Sequence, residues 1–239
     1  MWRTPFRSDG ELNDRSREVY QQFQHQTYVQ TDRLFGWLMV AQYVAGIALA
    51  LIVSPRTWIG DTGKVHLHVY AAVILGALVM LVPAFLAFRR SGRASTRYAI
   101  AVGQMLTSAL LIHLTGGRIE THFHVFASLG ILAGYRDWKV FLIATVVTAI
   151  DHLFRGIYYP QSVFGILTSD LWRVVEHAWW VVFMVAFLLK NYANTIAEVR
   201  RMARQQAEIE EMNTTNQQLL EQSREQEALL TQKQEALEQ

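Results

Sequence analysis

Six apolar stretches lie between Leu34 and Leu189, and most of them are long enough to cross a lipid bilayer. A transmembrane helix needs ~20 mostly apolar residues, and in lipid only helices and closed barrels satisfy all their backbone hydrogen bonds. We therefore predict an all-α integral membrane protein built on a six-helix transmembrane bundle. The predicted spans are residues 34–53, 66–88, 98–114, 122–134, 138–158 and 171–189. The fourth span is short for a full crossing, and we expect residues 119–121 at one end and Tyr135 at the other to extend it.

Proline and glycine mark where several of these helices end. Pro55 stops the first span because proline interrupts helical hydrogen bonding. Gly116 and Gly117 break the chain after the third span, and Pro160 ends the exit from the fifth. Pro83 lies inside the second span, where a kink is tolerated in lipid.

The basic residues predict the orientation of the bundle. Four arginines and no acid occupy the 89–97 loop, two basic residues lie in the 135–139 turn, and more follow the last span, whereas the opposite loops are mixed. Because cytoplasmic loops carry the excess of basic residues, both termini are predicted to be cytoplasmic. The polar residues 1–33 form a cytoplasmic arm without a cleavable signal peptide, so the first span is expected to act as the insertion signal.

The tail, residues 191–239, is rich in Glu, Gln, Arg and Ala and has no Gly or Pro. One position recurs every seven residues along the tail, at Met202, Ile209, Asn216, Ser223, Leu230 and Leu237. Val199 and Leu220 occupy the companion position of the heptad. Such a repeat is typical of a coiled coil, and its polar members help to fix register and oligomeric state. We predict a two-stranded parallel coiled coil, hence a parallel homodimer, with a lone solvated helix as the alternative. The output domain is expected to be absent from this chain.

Seven of the eight histidines fall at one end of the predicted spans, and on this topology it is the outer end each time. They are His66, His68, His113, His122, His124, His152 and His177. Ionisable residues inside a membrane are costly and usually functional, and imidazole is the commonest protein ligand for transition metals. His25 lies apart in the arm and is expected to be solvated.

Three carboxylates accompany these histidines: Glu120, Asp151 and Glu176. Asp151 is adjacent to His152, and Glu176 is adjacent to His177. Metal-bound histidines usually donate their second ring N–H to a carboxylate or carbonyl. Each acid is therefore predicted to be a ligand or to orient a neighbouring ring.

Two pairs of histidines are spaced two residues apart. His66 and His68, like His122 and His124, cannot share one face of a helix. We expect one metal ligand in each pair, and one residue that supports a ligand or controls access. The deeper members, His68 and His124, are the preferred ligands.

We predict that these histidines and carboxylates bind a transition metal, as one ion or two. The chain has no cysteine, which excludes thiolate ligands, disulfides and thiol redox switches. Imidazole and carboxylate ligands suit zinc, copper, iron or manganese. Two alternatives stay open: a metal-free cluster that senses pH, and polar contacts that only join the helices.

The segments TGGRIETHFHVFASLGILAGYRDWKV, AIDHLFRGIYYPQSVFG and VVEHAWW resemble a polytopic sensor domain of bacterial signalling proteins. The resemblance covers about residues 34–189, and the tail matches the signalling helix that follows such domains. These modules precede histidine kinase, diguanylate cyclase or chemoreceptor output domains. The resemblance therefore implies a sensory role, of the two-component or a related type, in the bacterial inner membrane.

The prediction for function is a transmembrane signal receptor whose metal occupancy shifts the last span and the coiled coil, with no catalytic activity in this chain. The main alternative is a membrane metalloenzyme, or a haem or quinone redox protein, with Trp179, Trp180 and Phe126 available to line a lipid or quinone pocket. Desaturase-like HxxHH boxes are absent, and a transporter is less favoured because no inverted repeat is seen. The net charge of +2 gives no case for nucleic acid, and membrane lipid is the expected surrounding.

Overall fold

A computed structural model describes residues 12–168 and 171–238. The helices in this part of the chain are α1 (Asp14–Val53), α2 (Leu67–Arg89), α3 (Ala94–Leu114), α4 (Ile119–Leu132), α5 (Trp138–Tyr158), α6 (Pro160–Phe164) and α7 (Leu171–Glu238). Strands β1 (Arg56–Ile59) and β2 (Thr62–Val65) form an antiparallel hairpin between α1 and α2. The sequence pattern did not predict this hairpin, because both strands have only four residues and are exposed throughout.

The helices end where the breakers predicted. α1 ends two residues before Pro55. Gly116 and Gly117 have φ values of 70° and 77°, in the left-handed region that glycine adopts without steric cost. α2 continues through Pro83, and its hydrogen bonding widens to a π-helix at Ala77–Leu81 just before it. The ring of a proline has no N–H and crowds the carbonyl four residues earlier, so a local irregularity replaces a helix end.

Four of the described helices are long and apolar enough to span a bilayer by length and composition: α1, α2, α5 and α7. α3 has 21 residues but a polar middle, in which Gln104, Thr107 and Ser108 are buried by the surrounding helices. α4 has 14 residues. The chain has the helices of a membrane protein. That α3 and α4 also cross the bilayer, which would make six spans, remains a proposal.

α3 packs against α5, α4 and the second half of α2. At Gly103 an added Cβ would lie 2.7 Å from both Pro83 Cγ and the Val79 carbonyl oxygen. Only glycine allows α2 and α3 to approach this closely. The core around them includes the fully buried side chains of Phe35, Met39, Ile100, Ile112, Leu129 and Leu132.

The end of the bundle that carries the 89–97 loop and the 135–139 turn is called the arginine end below. Arg97 Nε lies 2.7 Å from Asp137 Oδ2, and the two side chains are 12% and 10% exposed. The Arg97 guanidinium also lies 4.1 Å from the centre of the Tyr28 ring. This arginine therefore joins two turns and α1, in addition to its place in the basic loop.

Asp32 is fully buried at the arginine end. Its carboxylate accepts hydrogen bonds from the Tyr135 hydroxyl at 2.7 Å and from the Gly92 N–H at 2.6 Å. Burial raises the pKa of Asp32, and the two hydrogen bonds oppose this rise. The Tyr135 ring stacks on Phe35 with 5.6 Å between centroids, and burial also raises the pKa of its hydroxyl. An acid in a polar arm gives no sequence signal of burial, so this contact was not predicted.

Residues 12–23 and 196–238 form one compact unit, and residues 24–168 and 171–195 form another. In the first unit Arg15 of α1 contacts Glu210 of α7, with 2.6 Å between Nη2 and Oε2. The predicted arm is therefore the start of a long helix, and within this unit it contacts the tail.

The residues of the predicted heptad repeat and its companion position, called the seam below, are only partly buried. Val199 is 3% exposed, and Ile196, Ala203 and Ala207 on the same side of α7 are also buried. Met202 is 49% exposed. The other apolar seam members are exposed as well: Ile209, Leu220, Leu230 and Leu237. One companion position is thus buried within the chain, and pairing of the seam with a second copy remains a proposal.

Candidate functional site

The seven histidines of the predicted layer lie in three places, all at the end of the bundle opposite the arginine end. The hairpin trio, beside the β-hairpin, comprises His66, His68 and His113. The cavity trio comprises His122, His152 and His177, from α4, α5 and α7. His124 lies in a third environment. The sequence predicted one layer, and the structure divides it.

In the cavity trio every Nδ1 contacts the backbone carbonyl of the residue four positions earlier in the chain. The contacts are His122 to Arg118 at 2.9 Å, His152 to Thr148 at 3.1 Å and His177 to Arg173 at 2.9 Å. Because a carbonyl oxygen only accepts, each Nδ1 carries a proton, and in the neutral ring each Nε2 has a free lone pair. His122 is 5% exposed, and its Nε2 is buried without a hydrogen-bond partner among the described residues.

The His122 ring centroid lies 5.7 Å from that of His152 and 5.5 Å from that of His177. Two imidazoles that share an ion, with metal–nitrogen distances near 2.1 Å, have ring centres on the order of 5 Å apart. As the side chains stand, no group of three or more His, Asp or Glu residues within 12–168 and 171–238 is arranged to hold an ion. The rings of the cavity trio are thus near enough to share an ion, but they are not arranged around one.

The hairpin trio is more compact but is hydrogen-bonded differently. The His68 ring centroid lies 4.3 Å from that of His66 and 4.9 Å from that of His113. His66 Nδ1 accepts the backbone N–H of His68 at 3.0 Å, so neutral His66 carries its proton on Nε2. His68 Nδ1 contacts Ser54 Oγ at 3.2 Å, and His113 Nδ1 contacts Ser162 Oγ at 2.8 Å. At least one Nε2 of this trio is a donor and has no lone pair for a metal.

A line of polar contacts connects the two trios. Ser162 Oγ lies 2.8 Å from both His113 Nδ1 and Arg155 Nη1. Arg155 makes a bidentate ion pair with Asp151 at 2.7 and 2.5 Å. Asp151 Oδ2 lies 3.3 Å from His152 Nδ1. Asp151 thus contacts His152 and Arg155, and its role as a ligand or an orienting group stays a prediction.

His124, one of the two preferred ligands in the sequence, lies in a polar network inside the bundle. Its Nε2 is 3.0 Å from the Gln42 amide nitrogen, and its Nδ1 is 2.8 Å from Ser108 Oγ and 3.3 Å from Ser128 Oγ. Gln104 extends the network by donating to Ser128 at 2.9 Å. Both nitrogens of His124 have partners here, and its role as a ligand remains a prediction.

A cavity of about 690 Å³ opens beside the cavity trio, between α4, α5 and α7. All three imidazoles of the trio line it, together with the exposed carboxylate Glu176. Apolar side chains form much of the rest: Val125, Phe126, Leu153, Trp180, Phe183 and Met184. Of the three aromatic residues that the sequence offered for a pocket, Phe126 and Trp180 are in the described lining and Trp179 is not. Glu120 is also exposed and outside this lining.

The chain is 28% identical over 151 residues to the transducer protein Htr8 of Halobacterium salinarum. The aligned part is 57% of this chain and 23% of that protein, so the chain spans about a quarter of the length of the curated relative it matches. No family model matches the sequence, and no solved structure matches it. The similarity to a transducer, together with the apolar helices, supports a role in transmembrane signal transduction.

Proposed function

We propose that this chain is a transmembrane signal receptor in which the cavity trio binds one transition metal ion. The observation that carries the proposal is the common hydrogen bonding of the trio: three Nδ1–H groups on backbone carbonyls leave three Nε2 lone pairs on three helices. Metal-bound histidines usually donate their second ring N–H in this way, which orients the ring and fixes its tautomer. The transducer relative supports the signalling part of the proposal.

Zinc, copper and iron are the ions that this nitrogen donor set suits. Asp151, which contacts His152, and Glu176, on the cavity wall, would offset part of the positive charge. A second ion at the hairpin trio, which the sequence leaves open, is disfavoured because the His66 Nε2 carries a proton in its neutral form. We therefore propose a site with a single ion.

The ion would act by linking α4, α5 and α7. Because the three rings are not arranged around an ion as they stand, binding would require them to reorient, and the occupied and empty states would differ in how these helices are held. A ligand shifts an equilibrium only by its different affinity for the two states. Since α7 is one continuous helix from Leu171 to Glu238, a displacement of His177 passes directly along its backbone.

We further propose that the exposed seam of α7 pairs with a second copy in a parallel coiled coil, ahead of a kinase, cyclase or chemoreceptor output domain. The protein would lie in a bacterial inner membrane with both termini cytoplasmic. Because the chain has no cysteine, single-cysteine variants test the dimer cleanly. M202C, at an exposed seam position, should cross-link, and A203C, which is buried within the chain, should not.

The metal proposal is tested with H152A and the matched variant H113A, each of which removes one imidazole from one trio. Detergent-purified proteins are stripped with a chelator, reloaded and examined by elemental analysis. We expect wild type and H113A to hold one ion per chain. H152A should bind it at least about 100-fold more weakly, since even residues that only support a ligand cost 10–100-fold. Equal metal content in H152A and wild type would contradict the proposal.

A further inference from the structure

We infer that the start of the arm, residues 12–23, competes with a second copy of the chain for the first turns of the tail. While the arm covers these turns, the two tails pair only beyond them, and release of the arm lets the pairing extend. The inference rests on the proposed pairing of the seam. It is carried by a face of the tail that the arm covers, a seam residue within that face, and the point at which the face stops being apolar.

The arm and the first turns of the tail bury apolar faces against each other. The described part of this unit consists of one segment of α1 and one segment of α7, which are each other's packing partners. On the arm, Ser16 and Val19 are both 2% exposed. On α7 the buried side chains form a single stripe along the helix. This stripe, called the covered face below, comprises Ile196, Val199, Ala203 and Ala207.

Two polar contacts give the direction in which the arm runs along the tail. Arg15 Nη2 lies 2.6 Å from Glu210 Oε2, and the Arg200 guanidinium lies 5.9 Å from the centre of the Tyr20 ring. The two segments are therefore antiparallel. The ion pair is exposed, and pairs of this kind contribute little to stability. The apolar contact of the covered face is consequently what holds the arm in place.

Val199 belongs to both the covered face and the seam. It is 3% exposed, whereas the neighbouring seam residue Met202 is 49% exposed. With 3.6 residues per turn, Val199 lies about 40° from Ala203 and about 60° from Met202 around the helix. In a two-stranded coiled coil the residues of both seam positions insert into the partner helix. One side chain cannot pack against the arm and a second copy at once, so the two compete for Val199.

The covered face is apolar only where the arm lies against it. Past Ala207 the same stripe continues with polar residues: Glu210, Thr214, Gln217 and Glu221. The seam has exposed leucines much farther along: Leu220, Leu230 and Leu237. A short apolar face and a longer seam fit two partners of different length, the arm for the first and a second copy for the second. The competition is thus confined to the first turns, and the arm sets the residue at which pairing begins.

The first test cross-links single cysteines in the full, otherwise cysteine-free chain in membranes. V199C and M202C are each combined with V19D, which puts a carboxylate against the covered face, or with Q21D, the matched control at an exposed arm residue. V199C should cross-link weakly beside the wild-type arm or Q21D. With V19D it should cross-link at least about fivefold more, because an unpaired charge is costly to bury. M202C should change less than about twofold.

A V199C yield that V19D leaves unchanged, while M202C cross-links, would overturn the inference and leave the proposed pairing intact. M202C that cross-links in no variant would overturn the pairing, and the inference with it.

The second test measures release of the arm separately from pairing. A203C lies on the covered face, about 100° from Met202 around the helix, and is labelled with a water-soluble maleimide. V19D should raise the rate of labelling at least about fivefold and Q21D should not, because only the first disturbs the buried contact. Labelling that V19D does not raise would mean that the arm does not cover this face. Labelling that rises without more cross-linking of V199C would mean that the arm does not compete. Either result overturns the inference.

A charge exchange gives a milder change that keeps the apolar contact. R15E places two carboxylates opposite each other at Glu210 and should raise cross-linking of V199C about twofold, as expected for an exposed pair. Adding E210R restores opposite charges and should return the yield to that of the wild-type arm. A rise in R15E that E210R does not reverse would contradict the arm–tail contact as its cause.

Discussion

The two histidine trios have the same three side chains and lie at the same end of the bundle, but their protons are placed differently. In the cavity trio each Nδ1 donates to a carbonyl, whereas in the hairpin trio His66 Nδ1 accepts a backbone N–H. The hairpin trio has the shorter ring distances, 4.3 and 4.9 Å against 5.5 and 5.7 Å. In the proposed function it is the partner of each Nδ1, and not the proximity of the rings, that favours the cavity trio as the metal site.

The helix positions explain the difference. His66 precedes the first turn of α2, where backbone N–H groups have no carbonyl partner within the helix, and its ring accepts one of them. Each histidine of the cavity trio instead has the carbonyl of the residue four positions earlier within reach of its Nδ1. His66, which precedes the first residue of its helix, is an acceptor, whereas the histidines inside α4, α5 and α7 are donors.

The largest expected effect separates the trios directly. H122Q should weaken metal binding by at least about 100-fold, because an amide does not replace the Nε2 lone pair. H66Q should change it less than about twofold, since the glutamine oxygen can still accept the His68 N–H. Equilibrium dialysis against zinc measures both. Similar losses in the two variants would mean that the trios act as one site.

D151A is expected to be the most destabilising change in the contacts between the trios. It leaves Arg155, whose side chain is 18% exposed, without its bidentate partner. Loss of one member of a largely buried ion pair costs about 3 kcal/mol. E176A, at an exposed carboxylate, should cost less than about 0.5 kcal/mol. The free energy of unfolding in detergent gives both values. Equal losses of stability in D151A and E176A would mean that Asp151 has no special structural role.

Y135F provides a reference for one fully buried hydrogen bond away from both trios. It should cost about 2 kcal/mol, because it removes a donor from the buried Asp32 carboxylate. The pKa of Asp32 is already raised, so the folded state binds the proton more tightly than the unfolded state, and stability falls as pH rises through this range. Without the Tyr135 hydroxyl the pKa rises further. The loss in Y135F should therefore grow with pH, and a loss that shrinks with pH would contradict this assignment.

S162A should have the smallest measurable effect. The serine hydroxyl contacts both His113 and Arg155 at 2.8 Å, and its removal should cost about 1 kcal/mol. S54A removes a single, longer contact of 3.2 Å and should cost less. Neither variant should alter zinc affinity more than about twofold, because neither serine contacts the cavity trio. A tenfold change in S162A would show that the two trios are energetically coupled.

The helices were largely predictable because their ends depend on local chemistry. α5 coincides with the predicted span 138–158, and Pro55 and the Gly116–Gly117 pair stop helices where expected. Which histidines meet was not predictable, because it depends on the rotation of each helix about its axis. His122 and His124 are two residues apart, or about 200° around a helix. One faces the cavity trio and the other the network around Gln42.

Partners from short or irregular segments were missed for a related reason. Ser162 lies in a helix of five residues after Pro160, where no periodic pattern indicates which way a hydroxyl points. Asp32 lies among the polar residues of the arm, and only the Tyr135 hydroxyl and Gly92 N–H reveal that it is buried.

The sequence alone determined that the chain has long apolar helices, where several of them end, and that seven imidazoles share one end, because composition and helix breakers act over a few residues. Only the tertiary structure decided which imidazoles become neighbours and which ring nitrogen carries the proton. The physical reason is that a histidine proton follows the acceptor beside it, and that acceptor is set by the position in a helix and by the packing of distant helices.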